Sequence, residues 1–238
     1  IHFPKNINEQ KMLDENRKRL AFDELLSSYL TFHELKKKRQ KNKLIKISNF
    51  QISDKIKKNL SFSLTKDQII SINEIKNNLK TGFQMYRLIQ GDVGSGKTIV
   101  ALLTAADVVK NGYQVVIMAP TEILANQHFE YFKSHLFTLN IRIGLLTGKT
   151  KNKNEIYEKV SSGFYNILIG THSVYNTSIS FNKLGLIIID EQHKFGVQQR
   201  VKLIEKSIGC HTLIMSATPI PRSLSFTIYG EIEISNIK

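Results

Sequence analysis

Apolar residues recur along most of this chain in one repeating order: a short continuous run, then a longer stretch with an apolar position every three or four residues. Strand-length segments fall at 86–90, 114–119, 184–189 and 212–215, and the last two are continuous apolar runs, as strands buried on both faces are. Shorter apolar segments at 142–146 and 166–169 add two more strands. Helical spacing covers 66–79, 97–111, 122–139 and 154–162, with Gly112 as a stop for the second of these. Strand and helix in alternation predict an α/β fold, a central parallel sheet with helices on both sides. In such a sheet the functional residues gather beyond the carboxyl ends of the strands. Upstream, residues 8–46 lack Gly and Pro, and Leu13, Leu20, Leu25, Leu26, Leu30 and Leu35 approximate one helical face. Residues 47–61 read as a mobile connection. The expected division is an N-terminal basic helical linker over 1–61 and an α/β domain over 62–238.

Composition narrows the class. With 238 residues, 41% hydrophobic and 23% charged, the chain has an ordinary globular make-up and enough length for one large core. No apolar run approaches a membrane span, and residues 1–30 are too polar for a signal peptide. The single cysteine, Cys210, excludes an internal disulfide and a cysteine-based zinc site, and a cytoplasmic setting is expected. The net charge of +14 points to a polyanionic partner, nucleic acid first, although a Lys/Asn/Ile-rich composition also arises from an AT-rich genome. The basic run Lys36-Lys37-Lys38-Arg39-Gln40-Lys41-Asn42-Lys43 either tracks phosphates or forms a solvated helix face. The chain opens at Ile1 rather than Met, as a piece of a longer protein would.

The densest chemistry lies at Gly91-Asp92-Val93-Gly94-Ser95-Gly96-Lys97-Thr98. A strand runs into G-x-x-x-x-G-K-T and then into a helix, the context of a loop that cradles phosphates with backbone N–H groups. The positive end of the following helix adds attraction. Lys97 is placed to reach the β- and γ-phosphates of ATP, and the Thr98 hydroxyl to ligate Mg²⁺. The apolar run 186–189 ends in Asp190-Glu191-Gln192-His193. There Asp190 would hold the metal, through water, and Glu191 would act as general base on the attacking water. Ser216, Ala217 and Thr218 close a third strand and could sense the γ-phosphate through the Asp190–His193 segment, or serve as a helix cap. Gln68 has the donor and acceptor needed to read an adenine edge, but with Thr65 it also makes an ordinary capping box.

These segments, in this order, resemble the motor motifs of superfamily 2 helicases. Leu64-Thr65-Lys66-Asp67-Gln68 looks like a Q motif, and the Gly91 to Thr98 loop like motif I. Ala119-Pro120-Thr121-Glu122-Ile123-Leu124-Ala125-Asn126-Gln127 looks like motif Ia, followed by a Thr147-Gly148-Lys149 segment. Gly170-Thr171-His172-Ser173-Val174 resembles motif Ib, Asp190 to His193 motif II, and Ser216-Ala217-Thr218 motif III. The wording of motifs I, II and III and the segment Arg19-Leu20-Ala21-Phe22-Asp23-Glu24-Leu25-Leu26 are most similar to the RecG family of branch-migrating DNA helicases. The related transcription-repair coupling translocases usually carry an aromatic where Ser95 stands and Glu where Gln192 stands. The resemblance implies a RecA-like P-loop lobe using ATP and Mg²⁺, with DNA-backbone contacts near Pro120, Thr121, Thr171 and His172. It implies forked or branched duplex DNA as the partner, no membrane, and a second RecA-like lobe and an N-terminal wedge domain outside these residues. Without arginines from a second lobe, weak ATP hydrolysis is expected. A transcription-repair translocase and a truncated, non-catalytic remnant that binds nucleotide or DNA are the alternatives.

Overall fold

A computed structural model describes residues 12–23, 26, 30, 45–175, 179–191, 209–218 and 232–238. The chain divides into two compact units, Ile1–Arg39 with Ile220–Ile232, and Gln40–Pro219 with Glu233–Lys238. In the first unit, residues 12–23 are helical (α1), in keeping with the helix expected over 8–46, and Leu20 and Phe22 are exposed. Leu25, Leu35 and the basic run at 36–43 lie outside the described residues.

The second unit is a seven-stranded, all-parallel sheet of the RecA-like type. Its strands are β1 (Tyr86–Gln90), β2 (Gln114–Met118), β3 (Ile143–Leu146), β4 (Ile167–Gly170), β5 (Leu184–Asp190), β6 (His211–Ser216) and β7 (Glu233–Asn236). Their order across the sheet is β3-β4-β2-β5-β6-β1-β7. The helices are α2 (Gln51–Lys58), α3 (Lys66–Thr81), α4 (Lys97–Lys110), α5 (Glu122–Leu136) and α6 (Lys153–Ser161). The chain steps in one direction across the sheet through α4 and α5 and back through α6. Right-handed crossovers therefore put α6 on the face opposite α4 and α5. Both faces of the central strands are buried: Val115, Ile117 and Ile188 look one way, Val116, Met118 and Ile187 the other.

Two elements depart from expectation. The segment 47–61, expected to be a mobile connection, contains α2, which packs on α4 through Ile52 and Ile56. Residues 45–50 are neither helix nor strand, and the Ile47 N–H donates to Leu79 O at 3.0 Å. The other is β7, which no apolar run announces. It pairs with β1 at the sheet edge, where Arg87 donates to Ser235 Oγ (2.7 Å), to Glu74 on α3 (2.9 Å) and to Glu233. Leu136 closes α5 earlier than the expected 139, and a 3₁₀ turn, Phe137–Leu139, follows.

Candidate nucleotide-binding site

Parallel pairing brings the carboxyl ends of β5, β6 and β1 side by side: Asp190 is in register with Met215, and Gln90 with Ser216. The Gly91–Thr98 loop leaves β1 here, Glu191 follows β5, and Ala217 and Thr218 follow β6. A cleft of about 700 Å³ is lined by Gln68, Lys97, Thr98, Asp190, Glu191 and Ala217, with His128 also on its wall.

The loop is held from both sides. Gln68 is buried on the first turn of α3, where its side-chain oxygen accepts from the Thr65 N–H (3.0 Å) and the Thr65 hydroxyl accepts from the Gln68 N–H (3.3 Å). Its amide nitrogen donates to Ser95 O at 2.9 Å, so the capping box also anchors the loop. Gly96 stands at φ +84°, and a Cβ there would lie 2.3 Å from that same amide nitrogen. Only glycine meets both demands. Gly96 is also the N-cap of α4 and gives no side-chain cap, whereas α3 and α5 are capped by Thr65 and Thr121. The first-turn N–H groups of α4 thus lack the side-chain oxygen that commonly satisfies them, the condition in which a helix end takes an anion. Lys97 donates from Nζ to Gly91 O (2.6 Å) and Asp92 O (2.8 Å).

Glu191 takes φ +50°, a left-handed conformation rare for a residue with a side chain and costing about 1–3 kcal/mol. Its N–H donates to Met215 O (2.9 Å), and its Oε1 accepts from the Ala217 N–H (2.9 Å). The Ser216 hydroxyl lies 3.1 Å from that of Thr218, and Ser216 O accepts from the Gly91 N–H at 3.2 Å. The β6 end is therefore bonded both to Glu191 and to the start of the glycine-rich loop. Gln192 and His193 lie outside the described residues.

Thr98 and Asp190 offer hard oxygen donors of the kind Mg²⁺ takes. Among the described residues no group of three His, Cys, Asp or Glu could hold a metal ion alone. One carboxylate and one hydroxyl beside an anion-ready loop instead suit Mg²⁺ that arrives with nucleotide phosphates. Sequence reasoning missed His128, whose Nε2 is 2.8 Å from Asp190 Oδ2. The signal was present: Ala125, His128, Phe132 and Leu136 form the buried face of α5, and a histidine among them asks for a partner.

The ends of β2, β4 and β3 continue the same row of strand ends and carry the residues expected to face DNA. Thr121 and His172 are exposed and Pro120 half-buried. The Thr121 hydroxyl accepts from the Leu124 N–H at 3.3 Å. Thr171 does not fit that expectation: it is 2% exposed, its N–H donates to Leu146 O (3.2 Å), and its hydroxyl is enclosed. Glu122 accepts from the Lys149 N–H (3.2 Å) and pairs with Lys149 Nζ (3.4 Å), tying the 147–149 segment to α5. No described helix is long and apolar enough to cross a membrane.

Comparison with known proteins agrees with this geometry. The model of the DEAD/DEAH box helicase family matches residues 65–226. The ATP-dependent DNA helicase RecG of Synechocystis sp. is 42% identical over 241 residues, covering 100% of this chain and 29% of the relative. RecG of Aquifex aeolicus is 44% identical over 245 residues, covering 100% and 31%. A structure of RecG bound to a three-way DNA junction superposes with a TM-score of 0.79 at 38% identity, covering 100% of this chain and 32% of that one. The chain spans about a third of the length of these relatives.

Proposed function

Because the chain belongs to the DEAD/DEAH box helicase family, we propose that it is the ATP-binding lobe of an ATP-dependent DNA helicase. Its substrate in this reading is branched DNA, in fork reversal and Holliday-junction branch migration during recombination and repair. The observation that carries the reading is the convergence of Lys97, Thr98, Asp190 and Glu191 on one cleft. Similarity to part of RecG over the whole of this chain and a net charge of +14 support DNA as the partner. A second RecA-like lobe, a wedge domain and a cytoplasmic location complete the proposal.

The loop N–H groups and the uncapped start of α4 bind the phosphates of ATP. Lys97 exchanges the neutral carbonyls of Gly91 and Asp92 for β- and γ-phosphate oxygens, whose negative charge adds Coulombic attraction that a neutral carbonyl lacks. Thr98 and Asp190 would hold Mg²⁺, which would supply positive charge to neutralise the phosphates. Glu191 orients the attacking water and takes its proton. The Ala217 bond to Glu191 and the Ser216 bond to Gly91 carry the state of the site into β6, which is the coupling role given to Ser216, Ala217 and Thr218. The DNA backbone runs past Pro120, Thr121 and His172, contacts that position without reading sequence.

The test is Mg²⁺-dependent hydrolysis and ATP binding, each with and without a forked duplex. Glu191→Gln is expected to bind ATP as the wild type does and to lose about a hundredfold in hydrolysis. Equal Mg²⁺-dependent hydrolysis above background by both proteins would remove Glu191 from the reaction. A forked duplex that neither binds the chain nor changes its nucleotide affinity would remove DNA from the proposal.

A further inference from the structure

His128 lies on the buried face of α5, 7% exposed, and Asp190 at the end of β5 is 8% exposed. The two side chains meet at 2.8 Å, Nε2 to Oδ2. A carboxylate only accepts, so Nε2 carries the hydrogen and donates it. The backbone of Asp190 is fixed by sheet pairing, in register with Met215, which leaves two side-chain torsions as its remaining freedom. The bond from α5 restrains them through Oδ2.

We infer that His128 is a positioning residue for Asp190: it holds Oδ2 so that Oδ1 is presented to the metal side of the cleft. The inference rests on the reading of Asp190 as the metal-side carboxylate. Partners one shell out from a metal ligand commonly orient it, and losing them costs about 10- to 100-fold in metal affinity or activity. A histidine kept only to satisfy a buried carboxylate would affect folding and nucleotide binding alike, without regard to Mg²⁺.

The two roles separate in a titration of Mg²⁺ against binding of a fluorescent ATP analogue by the full chain, with an EDTA arm for metal-free affinity. His128→Leu keeps the volume and loses the donor. It is expected to raise the half-saturating Mg²⁺ concentration about tenfold or more while leaving the EDTA affinity unchanged. His128→Gln places an amide N–H at similar reach and is expected to return the Mg²⁺ requirement close to the wild-type value. Should the Leu variant not fold, His128→Asn, too short to reach Oδ2, replaces it with the same expectation. An unchanged Mg²⁺ requirement in the Leu or Asn variant, equal losses with and without Mg²⁺, or a Gln variant as impaired as Leu would each overturn the inference. A wild-type chain whose nucleotide binding ignores Mg²⁺ would instead overturn the reading of Asp190, and the inference with it.

Discussion

At Gln68 one amide serves two segments, closing the capping box of α3 and gripping Ser95 in the loop. The sequence offers adenine reading and helix capping as alternatives, and the structure forms the cap while placing Gln68 on the cleft wall. His211 shows the same economy without chemistry. It is fully buried on β6, its Nδ1 accepts from the Met85 N–H (3.1 Å), and its Nε2–H donates to Ile45 O (2.9 Å). Burial pushes its pKa below the ordinary histidine value, and protonation would remove the acceptor that Met85 needs. The unfolded chain then binds the extra proton first, so stability is full above about pH 6.5 and falls as pH drops toward the folded-state pKa. Asp107 has the opposite sign: burial raises it to about 6, so its contribution is lost as pH rises from about 3.8 to 6. A comparison with His211→Gln, which cannot titrate, isolates the histidine. The wild type should lose more melting temperature than the variant between pH 7.5 and 5.5, and parallel losses would refute the assignment.

At the scale of elements, the strands that build the site are legible because nothing but burial on both faces explains runs such as 186–189. Their ends then locate Asp190 and the Gly91–Thr98 loop. What the sequence hides is set by distant contacts. The helix α2 is eight residues long and largely polar, and it is secured by α4, where the Ser53 N–H donates to Asp107 at 3.1 Å. The strand β7 has only the pattern Glu-Ile-Ser-Asn, and its partner β1 lies nearly 150 residues earlier in the chain. Gln114 is a comparable case. It is buried, and its amide donates to Val160 O (2.9 Å) and Tyr165 O (2.8 Å) while accepting from the N–H groups of Asn182 (2.8 Å) and Lys183 (3.1 Å). One side chain thus joins α6, the approach to β4 and the approach to β5. Gln114→Met keeps the bulk and strands these backbone groups, so a loss of about 3 kcal/mol is expected in urea unfolding. A change within about 0.5 kcal/mol would mean that the backbone finds other partners. The helix α5 joins two regions in another way. Thr121 caps it among the strand ends expected to face DNA, and His128 touches Asp190 seven residues on, about 10 Å along the axis.

On the scale of the whole molecule, one row of strand ends carries two sets of residues. The ends of β5, β6 and β1 gather Asp190, Glu191, Ser216 and the glycine-rich loop, while β3, β4 and β2 lead to Thr147, Thr171 and Thr121. Adjacent strands are hydrogen-bonded throughout, so both sets stand on one continuous sheet. The account stands on the cleft being a Mg²⁺-ATP site. The direct test is calorimetric titration of ATP with Mg²⁺ into the wild-type chain and into Lys97→Ala. Saturable binding by the wild type, lost in the variant with its melting temperature retained, is the expected result. Equal ATP affinity in the two proteins would contradict the assignment of the cleft.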